Sequence, residues 1–227
     1  MFGLPQSTEV NQKISKKTFY ENAMISSSLK RFFIDEVESV WWRNKISSAS
    51  DGQAGTVPLA KGNLVEEIQI IEVVLKSDTV TDSEFLVQID KYIPYHIVFV
   101  LTSNSISKIA LCYKDIEKNA GSFKIKNQSN FFYSKWDEIG KVQIFLKGVT
   151  LDDAYENIFR FVVPDLPQRI DNESLLNNIR RYTDILKIEK ECQQLRKKEK
   201  KELQTNRKVE IKEKIVQLIN KIKDLKK

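Results

Sequence analysis

The clearest periodic signal lies at residues 65–76, where Ile68, Ile70, Glu72 and Val74 alternate with Glu67, Gln69, Ile71 and Val73. Period-two alternation of β-branched residues predicts a strand. Two further strands are expected at 95–101 and 106–113, joined by the polar turn Thr-Ser-Asn-Ser. Between these signals Phe85, Leu86, Ile89 and Ile93 recur at helical spacing, behind Asp82 or Ser83 as cap and ahead of Pro94 as stop. Residues 151–163 read as an amphipathic helix capped by Thr150 or Asp152, burying Ala154, Tyr155, Ile158 and Phe159.

Earlier in the chain, short helices are expected over 16–22, behind Ser15, and after Ser28, with Leu29, Phe32 and Phe33 on one face. The aromatic and β-branched crowding of Val40, Trp41, Trp42 and Ile46 favours a strand over 38–46. Residues 47–62, with Asp51, Gly52, Gly55, Pro58 and Gly62, read as a loop too polar to pack. Residues 129–136 and 141–145 are further strand candidates. This order predicts an α+β domain with an antiparallel or mixed sheet and helices on one face.

The sequence Pro164-Asp165-Leu166-Pro167 breaks the last of these helices. It divides the chain into a globular domain, 1–165, and a basic helical tail, 166–227. In the tail Leu175, Ile179, Tyr182, Leu186 and Glu189 recur at alternating steps of four and three, and Ile211, Ile215, Leu218, Ile222 and Leu225 keep the same rhythm. Such a seam needs a partner surface, because one helix cannot bury its own stripe. Either the helix runs straight through, ~50 residues and ~75 Å long, or it breaks near Thr205 and Asn206 and folds back as a hairpin.

The net charge of +6 is unevenly placed: residues 1–170 carry 20 Lys/Arg against 21 Asp/Glu, and residues 171–227 carry 17 against 10. The basicity therefore belongs to the tail. Arg196, Lys197, Lys198, Lys200, Lys201, Arg207 and Lys208 crowd its middle, with Leu203 as the one apolar residue among them. Counterion release on DNA or RNA would favour binding there without sequence preference.

Candidate chemistry is sparse. A single histidine, His96, excludes paired-imidazole zinc or acid/base sites. No phosphate-binding or dinucleotide glycine fingerprint occurs, and no cofactor is expected. No catalytic residue or metal ligand is assigned, and Cys112 and Cys192 read as reduced thiols. Glu67-Ile68-Gln69 is the one strand segment resembling the acid-x-Lys of metal-dependent restriction nucleases, with Asp35, Glu38 or Glu66 to complete it. The alternative is a solvated edge-strand face. Trp41, Trp42, Phe131, Phe132, Tyr133 and Trp136, with Lys124, Lys126, Lys135, Lys141 and Lys147 around them, would make a base-stacking platform if exposed and core or rim packing if not.

The opening Phe2-Gly3-Leu4-Pro5-Gln6-Ser7-Thr8-Glu9-Val10-Asn11, the pair Glu66-Glu67, the stretch Ile89-Asp90-Lys91-Tyr92-Ile93-Pro94-Tyr95-His96 and the segment Asn206-Arg207-Lys208 resemble the bacterial family called domain of unknown function 4391. The resemblance carries no catalytic residues. It implies genes lying beside helicases and DNA methyltransferases of restriction-like, anti-phage clusters, an association rather than a mechanism. The expected function is a non-catalytic accessory subunit of such an assembly, docking on a larger protein subunit or on itself through the tail, with DNA contact by the basic residues. A divergent metal-dependent nuclease and a stand-alone single-strand binder are the alternatives. With no apolar run long enough to span a bilayer and no secretory signal pattern, a cytoplasmic, membrane-free protein is expected.

Overall fold

The computed structural model describes residues 2–21, 25–49, 56–78, 83–119 and 122–226. The chain divides into two units, Met1–Pro164 and Asp165–Lys227. The first runs β1 (Glu9–Ile14), α1 (Ser27–Asp35), β2 (Val37–Ser48), β3 (Thr56–Val57), β4 (Glu67–Leu75), α2 (Glu84–Lys91), β5 (His96–Ser103), β6 (Ile106–Leu111), β7 (Lys114–Asn119), β8 (Ser122–Gln128), β9 (Phe132–Tyr133), β10 (Asp137–Glu138) and α3 (Leu151–Val162). The second holds α4 (Leu175–Lys201) and α5 (Thr205–Lys226).

The fold is α+β, with a mixed sheet ordered β1-β2-β4-β5-β6-β10, β3 added beside β2 and β9 beside β6. Eight of the nine residues of β4 are buried. A strand covered on both faces belongs at the centre of a sheet, and β4 lies between β2, antiparallel, and β5, parallel. The parallel pairing needs a crossover, which α2 supplies. Phe33 and Phe85 carry α1 and α2 onto the face presenting Ile71, Val73, Ile97, Phe99 and Leu101. The opposite face presents His96, whose ring meets Tyr155 of α3 at 4.8 Å, so the helices divide between the two faces.

Local chemistry fixes the helix ends. The Ser26 hydroxyl accepts from the Leu29 N–H at the start of α1. Thr150 and Asp153 form a reciprocal capping box on α3. Asp152, one of the two expected caps, instead accepts from the backbone N–H groups of Asn63, Leu64 and Val65 and pins the loop before β4. α2 ends at Lys91, before Pro94.

Several elements differ from expectation. The segment behind Ser15 is a 3-10 turn, Lys16–Phe19, and α1 begins before Ser28. β1 is an exposed, polar edge strand, Glu9–Ile14, with no apolar alternation to announce it. The expected loop is partly structured: Ser47 and Ser48 are buried ends of β2, and Val57 is buried in β3. The polar hairpin β7–β8 was not foreseen, whereas 141–145 forms no strand and 129–136 contributes only the two residues of β9. Asn22, Asp51, Gly52, Gly55 and Asp82 lie outside the described residues.

In the second unit the helix breaks at 202–204, and α5 returns along α4 as a hairpin. Ile215 is buried, and Ile211, Leu218, Ile222 and Leu225 are half-buried, so the heptad stripe is the side of α5 that loses solvent. Arg181 fastens the open end: it donates to the Leu225 and Gln168 carbonyls at 2.6 Å each and pairs with Glu173 at 2.8 Å. That guanidinium holds the Glu173 carboxyl below the usual glutamate range.

Candidate nucleic-acid interface

The hairpin brings together two basic segments that are separate in sequence. Arg196, Lys197, Lys198, Lys200 and Lys201 lie in the last turns of α4, and Arg207 and Lys208 in the first turn of α5. All are exposed except the half-buried Lys208, and none of the seven forms a salt bridge among the described residues. Three carboxylates share this end: Glu210 is exposed on α5, and the other two are engaged. Glu199 lies 3.8 Å from Lys212, and Glu202 accepts from the N–H groups of Leu203 and Gln204, each at 2.9 Å. The result is a cationic tip whose long side chains are free to meet phosphates.

The aromatic residues form no common platform. Trp41 lies on β2 beneath Arg43, at 4.5 Å, and beside Lys13. Tyr133 and Trp136 sit near the other edge of the sheet, under Lys108 at 4.9 and 4.3 Å. Three strand spacings, ~14 Å, separate β2 from β6. Trp42, Phe131 and Trp136 pack against the core, and Phe132 meets Phe159. Of the surrounding lysines, Lys126 pairs with Glu117, Lys141 with Glu138, and Lys147 stacks on Phe145.

The nuclease constellation is likewise dispersed. In the register of β2 and β4, Ser47 stands opposite Glu67 and Lys45 opposite Gln69. The neighbouring strand thus offers a hydroxyl and a cation where a second carboxylate would be needed to hold a divalent ion. Lys45 Nζ lies 3.1 Å from Glu67, and the Gln69 amide donates to the same carboxylate. Asp35 and Glu38 flank Val37, which pairs with Leu75 at the far end of β4, and Glu66 is tied to Lys118 at 2.6 Å. Glu72 is held by Arg43 and by the Thr102 hydroxyl at 2.8 Å. Among the described residues no three His, Cys, Asp or Glu side chains are grouped to hold a metal ion.

Sequence reading missed the buried polar cluster. Lys114 Nζ donates to Asp90 Oδ1 at 2.9 Å and to the Asp90 and Ile93 carbonyls, and Gln128 donates to Asp90 Oδ2. Burial pushes the Asp90 carboxyl up, against the pull of Lys114. Burial, reinforced by Asp90, pushes the neighbouring Cys112 thiol well up, which disfavours the nucleophilic thiolate. Tyr155 donates to the Cys112 carbonyl at 2.6 Å. His96 is enclosed by the Tyr113 and Tyr155 rings and hydrogen-bonded to the Lys114 backbone, and desolvation brings it down to about 3. Its Nε2 has no hydrogen-bond partner among the described residues, and a cavity of about 20 Å³, near the size of one water, adjoins the ring between Pro94 and Lys118. No spacing rule links Asp90, Lys114 and Gln128. Only Pro94, three residues beyond the end of α2, marked the turn beside them.

A mixed-sheet α+β body and a basic helical hairpin define the class of this protein. The chain belongs to the family described as Domain of unknown function (DUF4391), which it matches over residues 2–222. No curated protein and no solved structure matches it. No helix among the described residues is long and apolar enough to cross a membrane.

Proposed function

We propose that the protein is a non-catalytic accessory subunit of a bacterial DNA-restriction or phage-defence assembly, contacting nucleic-acid phosphates through its hairpin tip. The observation that carries this reading is the convergence on one end of seven cations from α4 and α5, none of them in a salt bridge among the described residues. A larger helicase, methyltransferase or nuclease subunit would supply the chemistry and the sequence choice. The tip would supply affinity and position, since phosphate contacts carry no sequence information.

The test is fluorescence anisotropy with a labelled duplex between 50 and 200 mM salt, on the order of the range over which phosphate contacts are lost. If four to seven cations engage, log K should fall against log[salt] with a slope of about −4 to −6. Reversing Lys197, Lys198, Lys200 and Lys201 to Glu should remove most of that slope while leaving the helical circular dichroism intact. Unchanged affinity in this variant would defeat the nucleic-acid reading. Isolation of the native protein with a nucleic-acid enzyme, and cleavage or methylation by the assembled complex that survives Glu67→Ala in this subunit, would support the accessory role. Magnesium-dependent cleavage by the purified chain, abolished in Glu67→Ala, would overturn it.

A further inference from the structure

Leu203 is 95% exposed, more than any other large apolar side chain among the described residues. A single exposed leucine is ordinary on a protein surface. This one differs in how it is held and in what surrounds it. It occupies the middle of the three-residue turn between α4 and α5. The turn is fixed at both ends: the Glu202 N–H donates to the Lys198 carbonyl and the Lys208 N–H to the Gln204 carbonyl, each at 3.0 Å. Glu202 also clamps the Leu203 and Gln204 N–H groups with one carboxylate oxygen. Leu203 is therefore an apolar knob on a preorganised apex, flanked on both helices by cations.

A polyanion drawn to those cations meets the knob first. Phosphates satisfy the lysines and arginines, and the largest apolar surface a nucleic acid offers the leucine is the faces of its bases. Apolar side chains inserted at a base step must first unstack it, at a cost of about a few kcal/mol. The cost is smallest where stacking is already interrupted. We propose that Leu203 is a base-stack wedge, so that the hairpin tip selects duplex discontinuities such as bulges and single-strand/double-strand junctions over continuous duplex. The proposal rests on the reading that the tip contacts nucleic acid, and it adds the structure that the tip prefers.

The experiment compares the full chain, Leu203→Ala and Leu203→Ser on three labelled DNAs of equal charge: a continuous duplex, a duplex with a three-nucleotide bulge and a tailed junction. The unaltered protein should bind the bulge and the junction about tenfold more tightly than the duplex, and Leu203→Ser should reduce that ratio to about two or less. Affinity for continuous duplex should stay within about twofold, because the phosphate contacts are untouched. A 2-aminopurine beside the bulge should brighten on binding of the unaltered protein and not of Leu203→Ser. Tight, salt-dependent duplex binding without preference for the discontinuity, or a preference that survives Leu203→Ser, overturns the wedge and leaves the phosphate-binding reading standing. Failure to bind any of the three DNAs overturns both. Binding to phosphatidylglycerol vesicles that is lost in Leu203→Ser, with no discontinuity preference, would assign the knob to a lipid surface and also overturn the wedge.

Discussion

Lys114 Nζ and Asp90 Oδ1 lie 2.9 Å apart with 1% and 2% of their side chains exposed, joining the end of α2 to the start of β7. An ion pair this deep is held by its surroundings: Lys114 also meets two carbonyls, and Gln128 meets the second oxygen of Asp90. Lys114→Met should destabilise the protein by about 3–5 kcal/mol, because an unpaired carboxylate would be left in the interior. The loss should shrink as pH falls. Burial raises the folded-state value of Asp90, and removing Lys114 raises it further, so protonation stabilises the folded variant. Urea unfolding at pH 7.5 and 4.5 checks both statements, and Asp90→Asn combined with Lys114→Met should recover part of the loss at the higher pH.

His96 gives the opposite pH dependence. Its folded-state value, about 3, lies below the ordinary 6.5, so the unfolded chain binds the proton more readily. The neutral ring's contribution is complete above pH 6.5 and declines as pH falls toward 3. Relative to a His96→Phe variant, the unfolding free energy should drop by roughly 2–3 kcal/mol between pH 7 and 4.5. A parallel pair of pH profiles would contradict the depressed value.

Asp152 anchors a loop 87 residues away in sequence, accepting from Val65 N–H at 2.7 Å and Asn63 N–H at 2.8 Å. Asp152→Ala should cost about 2 kcal/mol, the worth of charge-assisted bonds at a partly exposed site. Gly62→Ala should reach the same end by another route, since its new Cβ would fall 2.6 Å from the Val65 carbonyl oxygen, a backbone atom that cannot swing aside. Limited proteolysis after Lys61 should accelerate in both variants.

Ile215 and Val216 are chain neighbours with opposite surroundings, 6% and 56% exposed. Ile215→Asp should cost about 3 kcal/mol or more and reduce the helical signal of the hairpin, whereas Val216→Asp should stay within about 0.5 kcal/mol. Circular dichroism with light scattering reads the outcome. A change of mass in Val216→Asp without loss of helix would reveal association through the outer side of α5.

Strong periodicity made some elements legible in the sequence. β4, α3 and the α2 stop at Pro94 follow from the placement of Ile70, Tyr155 and Pro94 themselves. The parallel pairing of β4 with β5 did not show, because both strands are buried on two faces and nothing local distinguishes the direction of a neighbour. β1 and the β7–β8 hairpin were hard to read for the opposite reason: β1 offers only Val10 and Ile14, and in β8 the alternation of Phe123 and Ile125 with Lys124 and Lys126 is too short to stand out. The tip cations were visible as a charge run, but their convergence required the break at 202–204, and Thr205 and Asn206 only suggested it. The Asp90–Lys114–Gln128 cluster was invisible, since its members meet solely through the packing of α2, β7 and β8.

The return of α5 along α4 gives the arm a length set by turns of helix. The 27 residues of α4 span ~40 Å, at ~1.5 Å each. Removing one heptad from each helix would draw the apex back by ~10 Å while keeping the inner stripes facing. Length and surface chemistry are thus separately adjustable: the distance from the open end of the hairpin to its apex is governed by how many turns the helices contain, and the charge of the apex by which residues crown it.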